Sequence, residues 1–496
     1  MYQTFIGLEV HIHLLTKTKV FCDCRAAFGD APNTNVCPVC LGFPGVMPRL
    51  NVEAVRMGCM VARALECTVP PLTWFERKQY FYPDMTKNYQ ISQFASPLGR
   101  DGFLTISCGG ALKKVRIHEC HLEEDAGKMI HTGTSSLLDY NRAGVSLLEI
   151  VTEPDMASGE EAEQFIQELR RTVRYLGVCD GNMEEGSLRA DANISINLPG
   201  KGLGRKVEIK NLNSSRFVRL GLNYEAARQA AILDGGGAVV QETRLWNENR
   251  DQTETMRVKE NAHDYRYFPE PDLPPLRLDA GFLSPVEAAL VELPLARQRR
   301  FVADFALPEA AAQSLCDEGA LADFFEAALS CACAAGIETK AAAGVVCGRI
   351  LTEVRHLLAR EHIAPKDIGS AKLRPEFLAE LVVLLDAGRV SQKNAKQVLD
   401  ISFMEGKAPE WIVEEKGWEQ ISDAAVIAGF ADSVCAAEAA SFEQARAASA
   451  AGDGKRLGVL SNFLLGKVIA LSGGKANPSV AGAEIARRIA EASAMA

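Results

Sequence analysis

The chain has 496 residues, of which 47% are hydrophobic and 24% charged, and its formal net charge is −10 at pH 7. That length holds two or three domains with a sizeable core, and the composition is that of an ordinary globular protein. The acidic balance argues against non-specific nucleic-acid binding by the whole surface, while a local basic patch stays open. The start of the chain has no basic leader segment and no apolar run is long enough to span a bilayer, so the expected location is the cytoplasm, with no membrane partner.

Ile6, Leu8, Val10, Ile12 and Leu14 alternate with Gly7, Glu9, His11 and His13. This period of two predicts a strand with one buried face. Cys22-Asp23-Cys24 is followed, after twelve residues, by Cys37-Pro38-Val39-Cys40. Two close pairs across a loop are metal-ligand spacing, and four thiolates close a tetrahedral structural Zn²⁺ site. Four reduced thiols in an exposed loop are the alternative. Fourteen cysteines do not make a disulfide framework in a cytosolic chain of this size. Cys59, Cys108, Cys179 and Cys347 read as small core residues, and Cys331 and Cys333 as helix residues.

Val52 to Leu65 has helical periodicity. Arg77 to Gln93 is then unusually basic and aromatic for a loop. Lys78 and Lys87 suit phosphates there and the tyrosines suit stacking on a base, against the alternative of a packed aromatic loop. His118 to Asp125 is dense in carboxylates, and its broken alternation predicts a strand end. Asp139 to Gly144 leads into a strand from Val145 to Thr152. Ser158 with Glu161 three residues on caps a helix to about Leu176. Its Arg170, Arg171 and Arg174 form a solvated face or meet an acidic or RNA partner.

From Leu188 to Leu198, small or apolar residues fill the even positions, and Arg189, Asp191, Asn193, Ser195 and Asn197 fill the odd ones. The polar side of this strand is either a solvated sheet face or a ligand-binding one. Gly200 to Gly204 predicts a hairpin turn into Val207–Lys210, which carries Glu208. Ser214 or Ser215 caps a helix through Leu233, stopped by Asp234-Gly235-Gly236-Gly237. The run His263 to Asp272, followed by Pro274-Pro275, punctuates the end of this part; Arg266 among aromatics fits a nucleotide contact or a packed loop equally well. If these segments share a sheet, Glu9, His11, Glu124, Asp191 and Glu208 converge on one surface. Clustered carboxylates repel unless a cation or proton separates them, and Mg²⁺ takes oxygen ligands from carboxylates and substrate phosphates. The pattern suits ATP chemistry without a phosphate loop, since Gly-x-x-x-x-Gly-Lys-Ser/Thr, a nucleophile elbow and a dinucleotide glycine motif are all absent.

From Leu293 alanine rises and helical periodicity takes over. Leu351, Val354, Leu357 and Leu358 share a face, as do Phe377, Leu381, Leu384 and Leu385. Ala408-Pro409-Glu410 reads as a joint before a small alanine-rich bundle. Its Lys455, Arg456, Lys467 and Lys475 suit a phosphate backbone or are simply solvated. The expected class is α+β, divided as 1–292, 293–408 and 409–496.

Several runs together resemble one family. They are Gly7-Leu8-Glu9-Val10-His11, Tyr80-Phe81-Tyr82-Pro83-Asp84, Glu123-Glu124-Asp125-Ala126-Gly127-Lys128, Met183 to Arg189 with Asp191 to Ser195, Lys210 to Ser214, and Asp264 to Asp272. Over essentially its whole length the chain resembles GatB, a component of the tRNA-dependent amidotransferases. The resemblance implies a large glutamine-synthetase-like cradle with an antiparallel sheet, an all-α domain and a YqeY-like α-helical tail that binds tRNA. It implies phosphorylation of the side-chain carboxylate of Glu-tRNA(Gln) or Asp-tRNA(Asn) by ATP, then displacement of phosphate by ammonia. The ammonia comes from an amidase partner (GatA), in a heterotrimer with a small third component (GatC). On this resemblance Glu9, His11, Glu124, Asp191 and Glu208 hold Mg²⁺ and carry the catalysis with Lys78. Lys78, Lys87, Ser187 and Arg189 contact the nucleotide or the aminoacyl end, and zinc is scaffold. His13 and Ser146 depart from the family pattern, where relatives have an acidic residue and a proline.

Overall fold

The computed structural model describes residues 2–258 and 265–494; His263 and Asp264 of the aromatic–proline run lie outside them. The chain divides into two compact units, 1–297 and 298–496.

The first unit is built on one sheet of eight strands. These are β1 (Gln3–His13), β2 (Gly99–Cys108), β3 (Ala111–Glu124), β4 (Ser146–Thr152), β5 (Leu188–Asn197), β6 (Val207–Lys210), β7 (Glu242–Asn247) and β8 (Gln252–Val258). Their spatial order is β8-β7-β6-β5-β1-β4-β3-β2, which puts β1 and β5 at the centre. Neighbours run antiparallel except β6 and β7, which are parallel. The sheet is therefore mixed, where the sequence predicted an antiparallel one.

The alternation in the sequence has the expected consequence. Ile6, Leu8, Val10 and Ile12 of β1 point to a dry face with Leu188, Ala192 and Ile194 of β5 and Leu148 and Ile150 of β4, all essentially inaccessible to solvent. Each Val, Leu or Ile among them contributes roughly 1.5–3 kcal/mol of transfer free energy. Three helices cover this face: α1 (Val52–Ala64), α2 (Gly159–Tyr175) and α3 (Ser215–Asp234). Ser158 caps α2 by accepting from the Glu161 amide at 3.2 Å, and Ser214 caps α3 by accepting from Phe217. Arg170 donates to the Gly181 carbonyl at 2.7 Å and Arg171 pairs with Glu168, so neither is a purely solvated surface charge.

One local prediction is refined and another corrected. The run His118 to Asp125 does stand at the end of a strand, a fourteen-residue one that closes at Glu124, but the strand's end is not what breaks its alternation. Ile117 lies opposite Thr152 and Glu119 opposite Val151, so His118 is one extra residue, a β-bulge. Before the bulge the core-facing residues are odd-numbered, Val115 and Ile117; after it they are even, Cys120 and Leu122. That inversion is what broke the pattern. The Arg77–Gln93 segment is not a loop throughout. Glu76–Gln79 and Tyr89–Ser92 pair antiparallel in a small three-stranded sheet with Phe268–Pro269.

The second unit is helical. Phe301, Leu321, Phe325, Val354, Leu358, Phe377, Leu381 and Leu384 lie in one core. Ile412 and Val413 belong to that core as well, so the helix Pro409–Lys416 packs with the helices before it. A separate core contains Ile427, Val434, Leu464, Val468, Ile485 and Ile489. Among the described residues no single helix is long and apolar enough to cross a membrane.

Candidate functional site

The face of the sheet opposite the helices carries the odd residues of β1. Register decides what they meet. Glu9 lies directly across from Asp191, and His11 lies across from Arg189 on one side and Glu149 on the other. Asn193 lies across from Glu208, Glu149 from His121, and Leu147 from Glu123. Side chains paired in this way project from the same side of the pleat.

Two acid clusters result. In the first, ligand oxygens of Glu9, Asp191 and Glu208 gather within 4.8 Å of one another. Octahedral Mg²⁺ with bonds of about 2.1 Å sets neighbouring oxygens about 3 Å and opposite ones about 4.2 Å apart, so the set fits that ion. Asn193 donates its amide N–H to Glu9 at 2.9 Å, while its buried Oδ1 has no hydrogen-bond partner among the described residues, an oxygen left over for a cation. Thr243 of β7 donates to Glu208 at 2.9 Å. Lys210 reaches both Asp191 and Glu208, the latter at 2.9 Å. Burial alone would lower its pKa, but these two carboxylates outweigh burial and raise it.

In the second cluster, His11, Glu123 and Glu149 also bring ligand atoms within 4.8 Å. His11 Nε2 is 3.4 Å from Glu149, and His121 Nε2 is 3.1 Å from the same carboxylate. Burial would raise the Glu149 pKa, yet the two imidazoles hold it well below the ordinary carboxylate range. The same contacts raise both histidines against the lowering effect of burial. Ser92 donates to Glu123 at 3.1 Å. Lys78 lies beside this cluster with its ammonium 5.2 Å from the Tyr265 ring centre. Burial would lower the Lys78 pKa; Glu123, Tyr267 and Glu149 reverse the effect and keep it charged.

The structure brings together Glu9, Asp191 and Glu208, and puts His11 in the neighbouring cluster. It does not place Glu124 on this face. Glu124 lies opposite Ser146, on the side of Leu148 and Ile150. There it accepts from the Ile91 amide at 2.9 Å and pairs with Lys87 at 2.5 Å. Both line a cavity of about 220 Å³ with Arg77, Tyr89, Cys22 and Cys40. The expectation of one ion held by Glu9, His11, Glu124, Asp191 and Glu208 together is therefore corrected to two clusters, with Glu124 in neither. Glu123 and Glu149 were missed. Period two within β4 points Glu149 outward, and reading the bulge at His118 would have selected Glu123 over its neighbour.

Arg189 donates to Asp125 at 2.7 Å and lies 3.3 Å from His13, which itself is 2.6 Å from Asp125. The Ser187 hydroxyl is committed to Asp180 and to the Asn182 carbonyl. Ser187 and His13 line a larger cavity, about 840 Å³, with Arg142, Phe28 and Leu137.

The four sulfurs of Cys22, Cys24, Cys37 and Cys40 also lie within 4.8 Å of one another. A tetrahedral ion with bonds of about 2.3 Å needs sulfurs about 3.8 Å apart, so they fit Zn²⁺. The hydrogen bond donated by Cys22 and the nearby Lys19 ammonium lower the Cys40 pKa against the effect of burial.

A family profile described as the GatB/GatE catalytic domain matches residues 4–284, and one described as a GatB domain matches 325–489. The first spans both acid clusters. Curated relatives extend the likeness to the full length. A protein of Thermosynechococcus vestitus is 45% identical over 98% of this chain and 96% of its own length. One of Moorella thermoacetica is 46% identical over 97% of this chain and 98% of its own. One of Myxococcus xanthus is 44% identical over 97% of each. All three bear the name of the B component of an aspartyl/glutamyl-tRNA(Asn/Gln) amidotransferase. With two profiles and full-length relatives in agreement, the chain belongs to the GatB family.

Proposed function

We propose that this chain is the activating component of a tRNA-dependent amidotransferase, a ligase that forms a C–N bond. The observation that carries the proposal is the pair of acid clusters on one sheet face inside the matched catalytic domain. A carboxylate is a poor electrophile. Phosphorylating the side chain of glutamate on tRNA(Gln), or of aspartate on tRNA(Asn), converts one of its oxygens into a leaving group. Ammonia then attacks the carbonyl carbon, the bond from that carbon to the phosphate oxygen breaks, the departing phosphate takes up the proton that nitrogen loses, and glutaminyl- or asparaginyl-tRNA remains.

Glu9, Asp191 and Glu208, and separately His11, Glu123 and Glu149, would hold Mg²⁺. When bound, the ion would neutralise phosphate charge and polarise the transferring group. The protein's own contribution is fixed charge. Glu149 and Glu123 stay ionised because His11, His121 and Lys78 surround them. Lys78 keeps its proton and can draw a phosphoryl oxygen or the acyl carboxylate toward the cluster. Tyr267, stacked on Phe94 at 4.4 Å, gives an apolar wall beside it. Ammonia attacks only as the neutral molecule, so it is delivered by the amidase partner GatA, in a heterotrimer with the small GatC. The first unit is read as a glutamine-synthetase-like cradle. The helical unit is read as the tRNA-binding part, with Lys455 and Arg456 at the start of the helix Gly454–Leu471; Lys467 is paired with Glu438. Zn²⁺ on the four cysteines serves as scaffold, and one equivalent is expected by elemental analysis, lost in Cys40→Ser.

The test is the co-expressed complex supplied with ATP, glutamine and each mischarged tRNA. Asp191→Asn is expected to lose amidation about a hundredfold with tRNA affinity unchanged. Wild-type turnover in that variant would leave a tRNA-docking protein with structural carboxylates as the better reading.

A further inference from the structure

β6 carries two charges of opposite sign on the same side of the sheet. Glu208 is one of the three carboxylates of the first cluster, and Lys210 follows two residues later. The Lys210 ammonium is bonded to Asp191 and lies 2.9 Å from Glu208. It therefore occupies two of the three carboxylates assigned to a divalent cation. The third, Glu9, is held by Asn193, whose Oδ1 is left without a donor among the described residues. Lys210 thus meets two of the three carboxylates, while Glu9 and the Asn193 Oδ1 stand beside it as oxygens that a cation could also use.

An ammonium and a divalent ion bound to the same oxygen would be separated by no more than one metal–oxygen and one nitrogen–oxygen contact together. Two cations at that separation repel strongly where water is scarce. Lysine differs from the other residues of the site in having a flexible four-carbon stem, so its charge can leave without moving the backbone. The Lys210 side chain is 30% exposed, which gives that stem an open side to move into.

We propose that Lys210 is a displaceable counter-ion. It holds the Glu9–Asp191–Glu208 site in the absence of metal, leaves the carboxylates when a divalent cation enters, and then pairs with a phosphate oxygen of the nucleotide. Metal and nucleotide binding are thereby coupled through one side chain. The proposal rests on the assignment of that cluster to a divalent cation.

The experiment measures Mn²⁺ binding to the intact complex by electron paramagnetic resonance of the free ion. It is done with and without a non-hydrolysable ATP analogue, and Asp191→Asn identifies the contribution of this cluster. Lys210→Met is expected to bind Mn²⁺ about tenfold more tightly than wild type without nucleotide, and the extra affinity that the analogue confers in wild type is expected to shrink about tenfold. Lys210→Gln, neutral but polar, is expected to give the same result and guards against a disturbed strand in the first variant. A lysine that merely contributes fixed charge would change affinity by the same factor with and without the analogue; an unchanged ratio overturns the proposal, as does unchanged or weaker nucleotide-free affinity. Absence of any Asp191-dependent Mn²⁺ binding in wild type and both variants would instead overturn the metal assignment itself, and the counter-ion role with it.

Discussion

The two acid clusters lie on adjoining sets of three strands that share β1, yet they neutralise their charge by different means. Glu123 and Glu149 are met by His11 and His121, short rings fixed by the strands that carry them. Asp191 and Glu208 are met by Lys210, a point charge on a long stem. Strand register places the anions in both cases, but the counter-ion decides how a divalent ion is admitted: an imidazole fixed on its strand must first give up its proton, whereas an ammonium on a long stem can swing away. The largest effect is therefore expected where the counter-charge is fixed. Glu149→Gln leaves two buried imidazoles facing a neutral amide, and amidation by the complex is expected to fall about a thousandfold. Measured as formation of amidated tRNA, a loss no greater than that of Asp191→Asn would remove the distinction between the clusters.

A third buried acid extends the comparison to guanidinium partners. Asp125 is bonded to His13 and Arg189 and lies 3.3 Å from Arg142. Burial would raise its pKa, but Arg189, His13 and Arg142 hold it below the ordinary carboxylate range. A depressed carboxylate stabilises the fold above its unfolded pKa, and that contribution disappears as pH falls through the folded value. Asp125→Asn is expected to cost about 3 kcal/mol near pH 7 in urea unfolding. The gap between variant and wild type should stay constant above about pH 4 and close below it. A gap that widens on acidification would mean that Asp125 is not held ionised by its neighbours.

Much of this fold was legible in the sequence, and the reason is burial. β1, β5 and the caps at Ser158 and Ser214 follow from period two and from hydroxyls before apolar helices, because one buried face leaves a strict pattern. The clusters were legible only in part. Glu9, Asp191 and Glu208 sit on uninterrupted strands, so their common face could be read. Glu123 could not be told from Glu124, because the bulge at His118 inverts the pleat and a single sequence carries no mark of strand partners. β2, β7 and β8 were passed over because their alternation is diluted by polar residues; those of β7 and β8 serve a network around Glu225, Glu242 and Arg244. Nor does any local pattern say that Lys210 reaches back to Asp191 on the neighbouring strand.

That blind spot supplies the next test. Glu123 and Glu124 are adjacent along the chain yet differ by a full side of the sheet. Glu123→Gln is expected to weaken Mn²⁺ binding at the His11 cluster about thirtyfold, whereas Glu124→Gln changes it less than about twofold. Both variants are expected to impair turnover, since Glu124 also anchors Lys87 and the Ile91 amide. Equal losses of Mn²⁺ affinity would return Glu124 to the metal set and contradict the bulge.

The smallest effect concerns how the exchangeable cluster keeps its shape. Thr243 is fully buried on β7, and its hydroxyl donates to the Glu208 oxygen that Lys210 does not contact. The parallel pairing of β6 with β7 puts Thr243 directly beside Glu208. Glu208 is thus held by a neutral donor that stays and an ammonium that leaves, so Thr243 preserves the carboxylate orientation during the exchange. Thr243→Val keeps the shape and deletes one hydrogen bond, worth about 1 kcal/mol. The expected outcome is a rise of about fivefold in the KM for ATP with kcat little changed, and recovery in Thr243→Ser. The same substitution should leave Mn²⁺ affinity at the His11 cluster untouched, because β6 and β5 stand between β7 and the β1 strand that carries His11. A kcat effect without a KM effect would place Thr243 in the chemistry rather than in the orientation of Glu208.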